Sequence, residues 1–290
     1  MELFYFKSND RNFGDELNAH LLPAIMPEAF SADGPSGVMV GIGTILDDRL
    51  PDAEGTRIVF GSGVRGLSRP KSLDDWDVRF VRGPISGRVT GAPFVADPAY
   101  AVRMLPGYEH AAAGAGPVGL MPHFGSLRAA PWPRIAERLG MRYIDPTGDV
   151  TEVLDAIASC KAIVAEAMHG AILADALRVP WARFAAAAWR REGIHVHGLK
   201  WLDWAMALGV DPRVEAFAEL PPAGGTLAVR ALREPMRARA VRRLVRELAN
   251  VSTDRFQLSS DSTLDRVLAD LQEHAERIRA WATEADAKAS

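Results

Sequence analysis

The feature that most limits how this chain can fold is a series of short apolar runs that each stop at glycine or at Asp-Pro. VMVGIG (38–43), RIVFGSG (57–63), VRFVRG (78–83) and PFVADP (93–98) succeed one another at short intervals. β-Branched and aromatic side chains favour an extended backbone, and runs without polar alternation suit strands covered on both faces. Strands of that kind belong to a parallel sheet, where each end delivers a loop and a crossover helix. An earlier run, Leu3 to Phe6, reads as one more strand. The polar residues 7–14 follow, and Asp15 is expected to cap a helix reaching about Ile25.

The small residues 111–116, AAAGAG, read as a linker, and the alternation restarts after them. PVGLMPH, MRYID, KAIVAEA and WARFA supply strands; Trp132 to Leu139, Thr151 to Ser159 and His169 to Arg178 supply helices. The predicted fold class is therefore α/β, with two Rossmann-like domains (1–112 and 113–220) facing a cleft. Ligands in such sheets bind at the C-terminal ends of the strands. Residues 221–290 form a C-terminal α-helical extension, expected to pack back on the N-terminal domain.

Composition narrows the function. The 290 residues are 48% hydrophobic and 24% charged, as in ordinary globular proteins, and the net charge of −3 gives no general attraction for nucleic acid. A single cysteine, Cys160, excludes a disulfide framework and fits a reducing compartment. The opening MELFYFKSNDRNFGDELN lacks the long apolar core of a signal peptide, and no apolar stretch reaches the roughly 18 residues of a membrane span. A cytoplasmic protein is expected. One local exception to the charge balance is the stretch from Thr226 to Asn250, which holds seven arginines on an amphipathic pattern. It is a candidate for contact with anionic lipid at the inner face of the plasma membrane, or else a solvated helix.

Glycines at strand ends let a backbone approach a ligand, or merely make tight turns; Ser62 and Gly63 in GSG are the clearest case. In NFGDELN, Asn12, Gly14 and Asp15 stand before a helix N-terminus, where amides can meet a sugar hydroxyl or an anion. His169 sits where the run VAEA meets a helix. The positive helix end there disfavours imidazolium and Glu166 favours it, so the ring suits proton transfer as well as it suits a structural place. Glu166 could act on a hydroxyl proton or be satisfied by backbone amides. Arg82, Lys200 and His123 are candidate anion contacts, with Arg190 and Arg191 nearby in sequence. His195 and His197, in GIHVHG, lack a third metal ligand at suitable spacing, so no metal is expected. Trp201 and Trp204 could stack on sugars or fill a core.

The ordered segments NFGDELN, VMVGIGTIL, VFGSGV, VRGPIS, ADPA, VGLMPHFGS and AEAMHGAILADALRVPW resemble the polysaccharide pyruvyl transferase family, in particular its bacterial exopolysaccharide branch. The resemblance runs from about Asn12 to Trp204. It implies a GT-B-like pair of domains, phosphoenolpyruvate as co-substrate with no cofactor, and a glycan or lipid-linked oligosaccharide as acceptor. The product is a pyruvate ketal. On this resemblance His169 is the acid, with Glu166 a second catalytic candidate. Arg82, Lys200, His123, Gly170, Ser62 and Gly63 fall to the donor; Asn12, Gly14, Asp15 and Asp97 fall to the acceptor. Many members carry Ser-Arg-Leu-His-Gly where this chain has Glu166, Ala167, Met168, His169 and Gly170, so one donor-site cation is missing. Two rivals share the fold: a GT-B glycosyltransferase using a nucleotide sugar, and a non-catalytic sugar-binding protein.

Overall fold

The structure is a computed structural model that describes residues 1–7, 10–221 and 226–289; at 191, 227, 230, 231 and 286–289 only the backbone is described. The chain divides into two compact units, one made of residues 1–111, 198–211 and 259–290, the other of 112–197 and 212–258. Each holds its own parallel sheet.

In the first unit, β1 (Glu2–Leu3) leads through α1 (Phe13–Ile25) and α2 (Pro27–Phe30) to β2 (Gly37–Val40), β3 (Thr56–Phe60), β4 (Asp77–Phe80) and α3 (Pro84–Thr90). The sheet order is β1-β2-β3-β4, all parallel. Consecutive side chains of β2 and β3 are buried, as uninterrupted apolar runs require when both faces are covered. Fully burying each large aliphatic or aromatic group of these strands contributes about 1.5–3 kcal/mol. PFVADP makes only an isolated bridge, Val81 to Phe94: Pro93 has no N–H with which to extend a ladder, and Pro98 already opens a 3-10 turn.

In the second unit the order in sequence is β5 (Gly119–Met121), α4 (Trp132–Leu139), β6 (Arg142–Tyr143), α5 (Val150–Ala158), β7 (Ile163–Ala165), α6 (Met168–Ala176), β8 (Trp181–Ala185), α7 (Ala188–Glu192) and then α8 (Ile194–Leu208), within which the chain leaves this unit. It returns for β9 (Val214–Phe217) and α9 (Leu227–Ala249). The parallel sheet runs β6-β5-β7-β8-β9. The supposed linker is part of this unit: Gly114 N–H donates to the carbonyls of Ala158 and Cys160, and Gly116 bridges Cys160.

The segment 221–290 is not one block on the N-terminal domain. Leu244 and Leu248 of α9 are buried in the core of the second unit, and Arg237 donates to the carbonyls of Ala129 and Arg128 there. Only α10 (Asp261–Ala289) joins the first unit, where Arg279 pairs with Glu28 of α2 and His274 packs on Phe80 at 4.6 Å. The two helices bury different apolar stripes, and each stripe follows its own sheet.

Candidate functional site

In the second unit the ends of three strands are tied together by one carboxylate. Glu166 follows β7 and is 1% exposed. Its Oε1 accepts the N–H groups of Ala186, Ala187 and Ala188 at 2.9, 2.9 and 3.0 Å, and its Oε2 accepts that of His123 at 3.1 Å. The loops after β5, β7 and β8 therefore converge on Glu166. Four backbone donors occupy its oxygens, three on Oε1 and one on Oε2, which is the arrangement of a carboxylate satisfied by backbone amides and holding three loops in place.

Three residues on, His169 is the second residue of α6, half-buried. Ala167 gives this helix no side-chain cap, so the positive end is not neutralised locally. Gly170 has its N–H bonded to the Ala167 carbonyl, and a Cβ there would lie 2.6 Å from Met121 Sδ. Its smallness seats α6 against β5, and its amide is not turned outward as a donor-phosphate contact would require.

His123 has both ring nitrogens engaged within the unit. Nδ1 accepts the Gly125 N–H at 3.0 Å, which puts the proton of the neutral ring on Nε2, and Nε2 lies 3.3 Å from Glu192 Oε1. The other Glu192 oxygen is 2.7 Å from Nδ1 of His197. Direct phosphate contact by His123 would have to displace one of these partners. The half-buried Glu192 thus joins the buried His123 and His197 in a cluster that sequence spacing did not suggest. His197 lies on α8, neither on a strand nor in an exposed loop, while His195 is exposed. Among the described residues no group of His, Cys, Asp and Glu is arranged to hold a metal.

A buried cation stands beside this cluster. Arg183 of β8 is 8% exposed and donates to the Pro212 carbonyl at 2.7 Å. Burial pushes its guanidinium down to about 10, an effect that Glu166 and Glu192 partly offset. Arg190 is exposed, pairs with Glu219 and lies over the Trp189 ring. The side chain of Arg191 lies outside the described residues.

The first unit gathers the remaining candidates in three places. Asn12, not Asp15, caps α1: its Oδ1 accepts the Gly14 N–H at 3.3 Å and its Nδ2 donates to Asp15 Oδ2 at 2.5 Å. Asn18 then binds the turn after β2 through both of its amide atoms, accepting Ile42 N–H and donating to Ile42 O at 2.8 Å each; the same Nδ2 reaches the Asp15 carbonyl. The start of α1 is in this way fixed beside the glycine turn. Asp97 is buried and caps a 3-10 turn through the Ala99 N–H.

Ser62, Gly63 and Arg82 come together at the ends of β3 and β4. Ser62 Oγ donates to the Gly43 carbonyl at 3.2 Å. Arg82 is wholly buried; its Nη1 donates to Thr44 Oγ1 at 2.7 Å and Gly43 O at 3.3 Å, and its Nε lies 3.4 Å from Asp203 Oδ2. Its Nη2 has no hydrogen-bond partner among the described residues and lies against Gly63, where a Cβ would come within 2.3 Å. Asp203 also accepts the N–H groups of Ile85 and Ser86 and the Ser86 hydroxyl, so it caps α3 from the far end of the sequence. Gly83 makes this approach feasible, since a Cβ there would fall 1.9 Å from the Asp203 carbonyl oxygen. Lys200, on the same helix, is 8% exposed; Trp201 and Trp204 are fully buried and pack edge to face at 5.8 Å, as core residues.

Comparison with known proteins agrees with the collinear segments. The family described as polysaccharide pyruvyl transferase matches residues 39–186. Over 221 residues the chain is 38% identical to "Succinoglycan biosynthesis protein ExoV" of Rhizobium meliloti (strain 1021), an alignment covering 73% of this chain and 66% of that protein. No solved structure matches the chain. With the family match spanning His123, Glu166 and His169 and a relative at this identity over most of its length, the chain belongs to the polysaccharide pyruvyl transferase family.

Proposed function

We propose that the protein transfers pyruvate from phosphoenolpyruvate to a sugar of an exopolysaccharide repeat unit, lipid-linked in the form presented to it, and closes a pyruvate ketal. The observation that carries this reading is the placement of His169, half-buried in the first turn of α6 at the C-terminal edge of a parallel sheet, inside the family-matched segment. In the proposed course His169 gives a proton to the terminal vinyl carbon, forming a methyl group and leaving the neighbouring carbon electrophilic. One sugar hydroxyl bonds to that carbon and returns its proton to His169. The bond to the phosphate oxygen then breaks, the second hydroxyl closes the ketal, and its proton departs with phosphate.

Arg82 and Lys200 are assigned to the donor's anionic groups, and Ser62 and Gly63 to the turn beside them; the buried Nη2 of Arg82, without a hydrogen-bond partner among the described residues, supports this. Asn12, Gly14, Asp15 and Asp97 are assigned to the acceptor. Glu166 and Gly170 are given positioning roles: one holds the strand-end loops that flank His169, the other seats its helix. The GT-B-like arrangement belongs to the same reading, supported by the two separate parallel sheets. Work at a membrane surface from the cytoplasmic side belongs to the same reading; no helix among the described residues is long and apolar enough to cross a membrane.

The test is incubation with phosphoenolpyruvate and a panel of lipid-linked and synthetic glycosides, followed by mass spectrometry for an added pyruvate. An adduct on at least one glycoside is expected. A melting temperature raised by a nucleoside diphosphate but not by phosphoenolpyruvate would instead favour the nucleotide-sugar glycosyltransferase.

A further inference from the structure

Helix α9 has two halves with opposite environments. Toward its C-terminus, Leu244 and Leu248 are buried in the second unit's core, with Val241 and Val245 packed beside them. Toward its N-terminus, Leu232 and Met236, one turn apart on the same face, are 78% and 64% exposed. Exposed arginines continue along the helix: Arg239, Arg242 and Arg246 make no ion pair among the described residues, while Arg243 pairs with Glu247 within the helix. Seven arginines against Glu234 and Glu247 give the helix a charge of 7 − 2 = +5, in a chain whose net charge is −3. The helix is also held in place, because Arg237 donates to the Ala129 and Arg128 carbonyls.

We propose that the exposed face of α9 is a docking surface for a membrane rich in anionic lipid. Charge complementarity selects an anionic partner, and the Leu232–Met236 pair selects among anionic partners. A nucleic-acid backbone offers two such apolar side chains nothing to bury against, whereas the acyl boundary beneath a layer of phosphates accepts them while the guanidinium groups stay at headgroup level. The fixed seating of the C-terminal half means that binding need not fold the helix first. This inference stands on α9 alone and is independent of the reaction proposed above.

The experiment is co-sedimentation of the full chain with vesicles of phosphatidylcholine alone and with vesicles containing phosphatidylglycerol, at low and high salt. Binding is expected only to the anionic vesicles and is expected to weaken with salt. Arg239→Glu/Arg242→Glu should lower it by about tenfold or more, and Leu232→Ser/Met236→Ser several-fold. All these positions are exposed, so melting temperatures should match that of the unaltered chain. Equal binding to neutral and anionic vesicles, no binding, or unchanged binding by the arginine variant would overturn the proposal. So would a self-associated chain that the Leu232/Met236 variant converts to monomer without loss of lipid binding, since that would assign the face to a second copy.

Discussion

Arg82 and Asp203, 121 positions apart in sequence, face each other at 3.4 Å with both side chains almost wholly buried. A buried pair of this kind is costly to break from one side, because the remaining charge has no water to turn to. Asp203→Ala should destabilise the chain by about 3–5 kcal/mol in urea unfolding, and Asp203→Asn by less, since the amide oxygen still accepts the Ile85 and Ser86 N–H groups. A loss below about 1 kcal/mol for Asp203→Ala would show that α3 does not depend on this cap.

Glu166 separates positioning from proton transfer. With Glu166→Gln, one oxygen can still accept from Ala186, Ala187 and Ala188, but the new NH2 meets the His123 N–H donor to donor. The expected result is a lower kcat with both limbs of the pH–rate profile in place. Disappearance of a limb would return Glu166 to the chemistry itself.

His169→Ala should leave the urea midpoint nearly unchanged, since the ring is only half-buried, and should lower kcat by about a hundredfold or more. An alanine variant with undiminished turnover would remove His169 from the acid role.

His274 supplies a pH dependence of stability. Burial, with Arg277 of its own helix, holds the imidazole below its ordinary 6.5; Glu273 and Asp270 oppose this, and Arg79 from β4 adds to it. The folded chain therefore binds this proton less readily than the unfolded chain, so unfolding takes up a proton as the pH falls below about 6.5 and stability declines there. His274→Phe keeps an aromatic ring against Phe80 and should flatten the fall in urea midpoint between about pH 7.5 and about pH 5. An equal fall in both proteins would assign the effect to other groups.

What the sequence discloses is what short-range chemistry determines. The runs 38–43 and 57–63 announce their strands because every residue but Arg57 is buried on a two-sided sheet, and the His169 junction is visible because strand and helix signatures meet there. Strand β9 was missed: it is a four-residue edge strand, VEAF, with a glutamate among its four residues, only Ala216 buried and no flanking glycine. Asn18, Glu192 and Asp203 were passed over for a different reason. Their roles come from partners that only the fold brings near, such as Ile42 for Asn18 and His123 for Glu192, and a carboxylate or amide on a helix carries no local sign of which backbone amide it will meet. The division of 221–290 between the two units likewise depends on where each apolar stripe finds its complement.

The most direct test of the central claim is to run the reaction in deuterium oxide with a glycoside that the protein accepts and to read the methyl group of the product ketal by mass spectrometry and NMR. Protonation of the vinyl carbon by His169, whose proton exchanges with solvent, predicts a single deuterium in that methyl group and one phosphate released per ketal. A methyl group free of solvent deuterium, or pyruvate transfer that continues unchanged in His169→Ala, would contradict it.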